Sequence, residues 1–168
     1  AYTRSPDSLI WTLLDTGELR CLTYERAQDV VAWHRHILGA TTGGAAKVKS
    51  IAAIPSADEL EEQLYMIVER TIGGATKQYV EFLEKAFDQA KGDVPKDAFF
   101  VDSGLTYDDP TTAVTSVSGL DHLEGESVRI LADGANHPNK TVSSGAVTLE
   151  RSAKTPLVSF INLCQAAA

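Results

Sequence analysis

Leu64-Tyr65-Met66-Ile67-Val68-Glu69-Arg70-Thr71-Ile72, then Gly73-Gly74, then Ala75-Thr76-Lys77-Gln78-Tyr79-Val80-Glu81-Phe82-Leu83, is the stretch whose reading decides the fold. β-Branched and aromatic residues fill both arms, and Gly-Gly accepts the positive φ angles of a two-residue turn, so the pattern predicts an antiparallel hairpin. Its register sets Val68 opposite Tyr79, Ile67 opposite Val80 and Tyr65 opposite Phe82. The same register sets Arg70 opposite Lys77. Like charges facing each other are unfavourable, so either a carboxylate from elsewhere relieves them or the register is shifted.

Working toward the N-terminus, a strand is expected over residues 48–54, closed by Pro55, and another over 30–38, ending in the Thr- and Gly-rich loop 39–44. Residues 9–24 form two β-prone runs around Asp15-Thr16-Gly17-Glu18, a second hairpin, with Trp11 and Leu13 at alternate positions of one run and Leu19 and Cys21 of the other. Hairpin, strand, strand, hairpin amounts to an antiparallel meander with the texture of a propeller blade. Toward the C-terminus, Leu83, Ala86, Phe87 and Ala90 recur at helical spacing before Gly92, predicting a short amphipathic helix. Beyond Phe99 the runs are short, rich in Thr, Ser and Val, and punctuated by Asp108-Asp109-Pro110, Asp133-Gly134, His137-Pro138-Asn139 and Ser144-Gly145. Strands are expected over 114–117, 127–132, 141–143, 146–150 and 157–163, as in a small sandwich or partly open barrel. The chain therefore reads as mainly β: a blade-like sheet with a terminal helix over residues 1–92, and a small β domain over 97–168. One isolated sheet has open edges and two faces to cover, so the first unit is expected to share a core with further material, the chain being a piece of a longer polypeptide.

The 168 residues carry 15 Lys+Arg against 23 Asp+Glu, a net charge of −8. That balance disfavours unspecific adhesion to nucleic acid, which needs clustered cations. No apolar run approaches the ~18 residues of a membrane span, so a soluble chain without membrane contact is expected. Cys21 and Cys164 lie in apolar stretches far apart and are expected as buried thiols rather than a disulfide framework.

Signals for chemistry are sparse. His34 and His36 share a strand face and could chelate one ion if a third ligand arrived, but a strip for interaction beside Trp33 is the preferred reading. Asp121 and His122 are neighbours that would point to opposite faces of a strand, so the acid cannot orient the base. Neither Ser103 nor Ser127 completes a nucleophile elbow, and Gly43-Gly44 and Gly73-Gly74 lack the lysine and helix of a phosphate loop. Glu61-Glu62 and Asp108-Asp109 would make a glycosidase dyad only if folding brought two carboxylates across a sugar cleft. Trp11, Trp33, Tyr65 and Tyr79 could stack on a glycan, giving the alternative reading of a carbohydrate-binding adhesin module. No catalytic residue, cofactor or metal is assigned; Trp33, His34, His36, Arg70 and Lys77 are the candidate interaction residues.

Several stretches resemble a known family. Asp15-Thr16-Gly17-Glu18-Leu19-Arg20-Cys21-Leu22-Thr23-Tyr24, continuing through Val30-Val31-Ala32-Trp33-His34-Arg35-His36, resembles a blade signature of bacteriophage tail nozzle (tail tubular) proteins. The hairpin about Gly73-Gly74 is similar to the strand pair that follows in that group. Phe100-Val101-Asp102-Ser103-Gly104-Leu105 and Gly119-Leu120-Asp121-His122-Leu123-Glu124-Gly125 resemble the β domain attached to the blade, the latter run being the most distinctive. The resemblance implies a structural virion protein, assembled in the host cytoplasm as a homo-oligomeric ring, hexameric by likeness, in a tail nozzle or head-to-tail adaptor. Neighbouring tail or adaptor proteins would be its partners, and phage DNA would pass without specific binding. An acidic wall suits such a conduit because it repels phosphate. Residues 85–96, with their helix, depart from the pattern as an insertion.

Overall fold

The computed structural model describes residues 1–41, 44–56, 61–94 and 98–160. Cys164 and the residues 161–163 expected at the end of the last strand lie outside them. Over the described residues the fold is mainly antiparallel β.

Strands β1 (Tyr2–Thr3), β2 (Leu9–Leu13), β3 (Leu19–Glu25) and β4 (Val30–His36) form one sheet in chain order, and β5 (Lys47–Pro55), β6 (Glu62–Ile72) and β7 (Ala75–Phe82) form a second. The meander expected as a single sheet is thus divided between β4 and β5. The loop after β4 turns back, with the Ala46 N–H donating to Leu38 O, and β5 departs across the first hairpin turn, where the Val48 N–H donates to Gly17 O. The inner faces of the two sheets meet in a core of Trp11, Leu19 and Cys21 against Val48, Leu64, Met66 and Val68. Burial pushes the Cys21 thiol up to about 11, as expected where the charged form is poorly solvated.

The β6–β7 hairpin has the register read from sequence, Arg70 against Lys77 included. Gly73 and Gly74 both take positive φ, 56° and 79°, as the turn requires. No α-helix occupies residues 83–90. The Leu83 N–H instead extends the sheet by donating to Leu64 O, and Asp93 draws the following loop together by accepting from the Asp88 N–H and Lys85 Nζ. Two turns of intrinsic helix gain too little to compete with such tertiary contacts; only a 3-10 turn at Gln89–Lys91 remains.

The rest of the chain gives β8 (Leu105–Thr106), β9 (Val114–Ser118), β10 (Ser127–Ala132), β11 (Ala135–Thr141), β12 (Ala146–Ala153) and β13 (Pro156–Phe160). They pair as a β11-β10-β13-β8 sheet and a β12-β9 pair, both contributing to a second core that includes Val117, Leu120, Leu123, Val128, Ile130, Val147 and Val158. Ile72, the last residue of β6, belongs to this second core. Strand β6 therefore runs from one core into the other.

His137-Pro138-Asn139, read as turn punctuation, lies inside β11. Proline is accommodated there because β11 is an edge strand and its register against β10 shifts at this point, between Val128 and Ile130. Buried His137 ties β11 to β12: its Nε2 accepts the Glu150 N–H at 2.8 Å, which puts the ring proton on Nδ1, facing Pro138 O at 2.8 Å. Replacing His137 with leucine leaves that N–H without an acceptor, so His137→Leu is expected to lose ~1–3 kcal/mol in urea unfolding. His137→Gln, which can offer an oxygen to the same N–H, is expected to recover part of the loss.

Candidate functional site

The period of two along a strand distributes the candidate residues over opposite faces. Across the first sheet the register aligns Trp11, Cys21 and His34 on the inner face, and Ile10, Leu22 and Trp33 on the outer one, with Tyr2 beside Ile10. Trp33 is 61% exposed and Val31, two residues before it, 62%. Tyr2, Ile10 and Tyr24 are exposed on the same face, which therefore carries a continuous apolar row across all four strands. The second sheet repeats this: Ile67 faces Val80 and Tyr65 faces Phe82 on its outer side, where Val80 is 77% exposed and Ile54 and Phe82 also reach the surface. The apolar pairs legible in the hairpin sequence thus split between the core, where Val68 is buried, and the exterior.

His34 and His36 lie under the opposite face. His36 Nε2 and His34 Nδ1 share a hydrogen bond of 3.0 Å, Thr23 Oγ1 stands 3.3 Å from His34 Nε2, and the Trp11 ring centroid is 5.1 Å from that of His36. Burial, and then the His34 charge, pull the His36 imidazole down to about 4. The pair is engaged with itself, and among the described residues no group of three His, Cys, Asp or Glu is placed to hold a metal ion. His36 also borders a half-open cleft of about 250 Å³ lined by Gly17, Glu18, Leu38, Lys47 and Val48.

Arg70 and Lys77 are separated by burial. Lys77 is exposed, whereas Arg70 is 1% exposed and stands between the two cores. Its Nε and Nη2 donate to the Glu81 carboxylate at 2.7 and 2.6 Å, its Nη2 and Nη1 to Asp102 at 2.6 and 3.0 Å, and its Nη1 also to Gly39 O. All five N–H groups are used. Burial alone would lower the affinity of the guanidinium for its proton, but the hydrogen bonds and charges of Glu81 and Asp102 reverse this and raise it. These carboxylates relieve the like-charge register that the sequence left open. Arg70 is accordingly not a surface group for a partner: it joins β6, β7, the loop after β4 and the segment bearing Asp102. Nearby, Glu126 continues the seam by accepting from Thr41 Oγ1 at 2.6 Å and the Gly73 N–H at 3.0 Å.

No protein-family model and no curated protein matches this chain.

One carboxylate of each acidic pair is held by local partners. Asp109 caps the turn at Thr111 and Thr112, and the Thr111 hydroxyl and N–H, joined by Thr112, hold it down at about 2. Glu62 pairs with Arg4. His122 Nε2 donates to Ser103 O at 3.1 Å from a 3-10 turn, Asp121–Leu123. Glu81, Asp102 and the outer apolar rows escaped the sequence reading. The Arg70–Lys77 opposition was the signal for a buried carboxylate, but nothing in Asp102-Ser103-Gly104 identified its source.

Proposed function

We propose that the chain is a structural virion module: blade-like sheets with an attached small sandwich-like β domain, assembling into the ring of a tail nozzle or head-to-tail adaptor through which phage DNA passes. One observation carries the reading. Both sheets around the first core carry rows of apolar residues on their outer faces as well as on their inner ones, a pattern that suits sheets flanked on both sides. The resemblance of residues 15–36 and 119–125 to tail nozzle sequences supplies the kind of assembly, and the net charge of −8 suits a wall that does not retain phosphate. The glycan-platform reading draws less support, because Trp11 is buried while Trp33 lies on the other face, and Tyr65 and Tyr79 sit on a different sheet.

Multi-angle light scattering and negative-stain electron microscopy at micromolar concentration are expected to show annular multimers. A monodisperse single chain over that range would remove the reading.

A further inference from the structure

Free sheet edges invite pairing with another strand, and native proteins blunt them with short strands, Lys, Pro or bulges. Most edges of this fold are blunted in these ways. β1 and β8 have two residues each; β5 carries Lys47, Lys49, Pro55 and a register shift at Val48/Ser50; β11 carries Pro138 and its bulge; the β9–β12 pair is interrupted between Thr148 and Ala153. Two edges differ. β4 is seven residues long, has neither Lys nor Pro nor a bulge, and is exposed on both faces over Val30, Val31, Ala32 and Trp33. β7 is eight residues long and regular, with Lys77 its one lysine and Val80 and Phe82 exposed. Among the described residues neither has a strand on its outer side.

We propose that β4 of one copy adds antiparallel to β7 of a second copy, with Trp33 opposite Val80. This inference rests on the assembly reading above and specifies its contact. The register keeps the outer faces of the two sheets on one side and extends three rows across the junction. Tyr24 and Val31 continue into Phe82, Tyr65 and Ala52 of the second copy; Ile10, Leu22 and Trp33 continue into its Val80 and Ile67. The third row decides the occupant. Arg20 and Arg35 face each other within one chain, with Glu18 on Arg20 at 2.7 Å, and the junction brings Arg35 opposite the polar Gln78 of the second copy, beyond which Glu69 is already paired with Lys49. An arginine thereby meets a side chain that can accept its hydrogen bond at one end of an apolar seam, where self-pairing would offer it a valine. The self-pairing alternative, β4 on β4 about Trp33, would set Arg35 against Val31 and leave the two arginines as they are. A β4-to-β7 contact is heterologous, so it repeats from copy to copy and closes into a ring when the rotation permits.

Trp33→Lys and Val80→Lys each place a charge at one side of the seam, at exposed positions where unfolding midpoints should match the parent chain. Sedimentation velocity of the 168-residue chain is expected to show multimers for the parent and single chains for each variant. An equimolar mixture of the two variants is expected to give a 1:1 dimer that grows no further, since it holds one intact β4 and one intact β7 able to meet. Multimers that persist in both variants would overturn the edge pairing while leaving the assembly reading in place. Loss in Trp33→Lys alone, with no dimer in the mixture, would overturn it in favour of self-pairing. A parent chain that stays single would overturn both.

Discussion

Replacing Arg70 with methionine is expected to lower the unfolding free energy by ~3–5 kcal/mol, the range found when one partner of a buried ion pair is removed and its counter-charge is left behind. The size follows from the geometry. Asp102 is almost wholly buried and accepts both Arg70 Nη atoms and the Gly39 N–H, while Glu81 accepts two further N–H groups of the same guanidinium. Methionine fills much of the volume but supplies no donor, so two carboxylates and the Gly39 carbonyl lose their partner together. Arg70→Lys is expected to rescue only part of the loss, because one ammonium cannot span two carboxylates in the fork geometry of a guanidinium. Domains of this size have a total stability of ~5–15 kcal/mol, so the methionine variant would stand close to its unfolding threshold. Removing Asp102 along with Arg70, as Arg70→Met with Asp102→Leu, is expected to cost less than the sum of the two single changes, since each charge is most expensive when alone. Urea denaturation of the four chains at neutral pH measures this; additive losses would show that Arg70 and Asp102 do not act as a unit.

The same cluster shows how far residues reveal structure before coordinates do. Strand register is a local property of hairpin and turn, so Gly73-Gly74 and the alternation around it placed Arg70 against Lys77 correctly. What relieves that opposition is not local: Asp102 lies 32 residues away, and no period of two or of 3.6 connects it to β6. The helix expected over residues 83–90 failed for the same reason. Its spacing was helical, but Leu83 is held by Leu64 O across the sheet, a contact outside any window of eight residues, and Asp93, beyond the helical run, binds the loop. Pro138 misled in the opposite direction, because a proline that ends a central strand is tolerated at a bulge on an edge, and edge position is not written in the sequence. Alternation also showed that the strands were apolar without saying which face met the core. Trp11 and Trp33 looked alike in their runs; one is buried at the centre of a core and the other covers an open face.

The inner face predicts a second large effect, in acid. In the unfolded chain a histidine takes up its proton near pH 6.5, whereas folded His36 resists until about 4. Between those values the unfolded state binds more protons, so stability falls as pH drops through that window and is fully present above it. A tenfold difference in proton affinity is about 1.4 kcal/mol, which makes the separation worth ~3 kcal/mol. Desolvation beneath Trp11 and Leu19 is the first cause, and the neighbouring His34 adds to it, since a second cation 3.0 Å from the first would be strongly repelled. Glu18 and Lys47, on the rim of the same cleft, bring opposite charges whose influences oppose each other. His36→Gln keeps a polar group beside His34 but cannot titrate, so the difference between the parent and this variant isolates the imidazole from the carboxylates that also begin to protonate near pH 4. Chemical unfolding at intervals from pH 7.5 to 4.5 is expected to show the parent losing stability faster than His36→Gln, with most of the divergence below 6.5. Parallel curves would mean that His36 is hydrated in the folded chain and that the inner face of the first sheet opens to water beside β4.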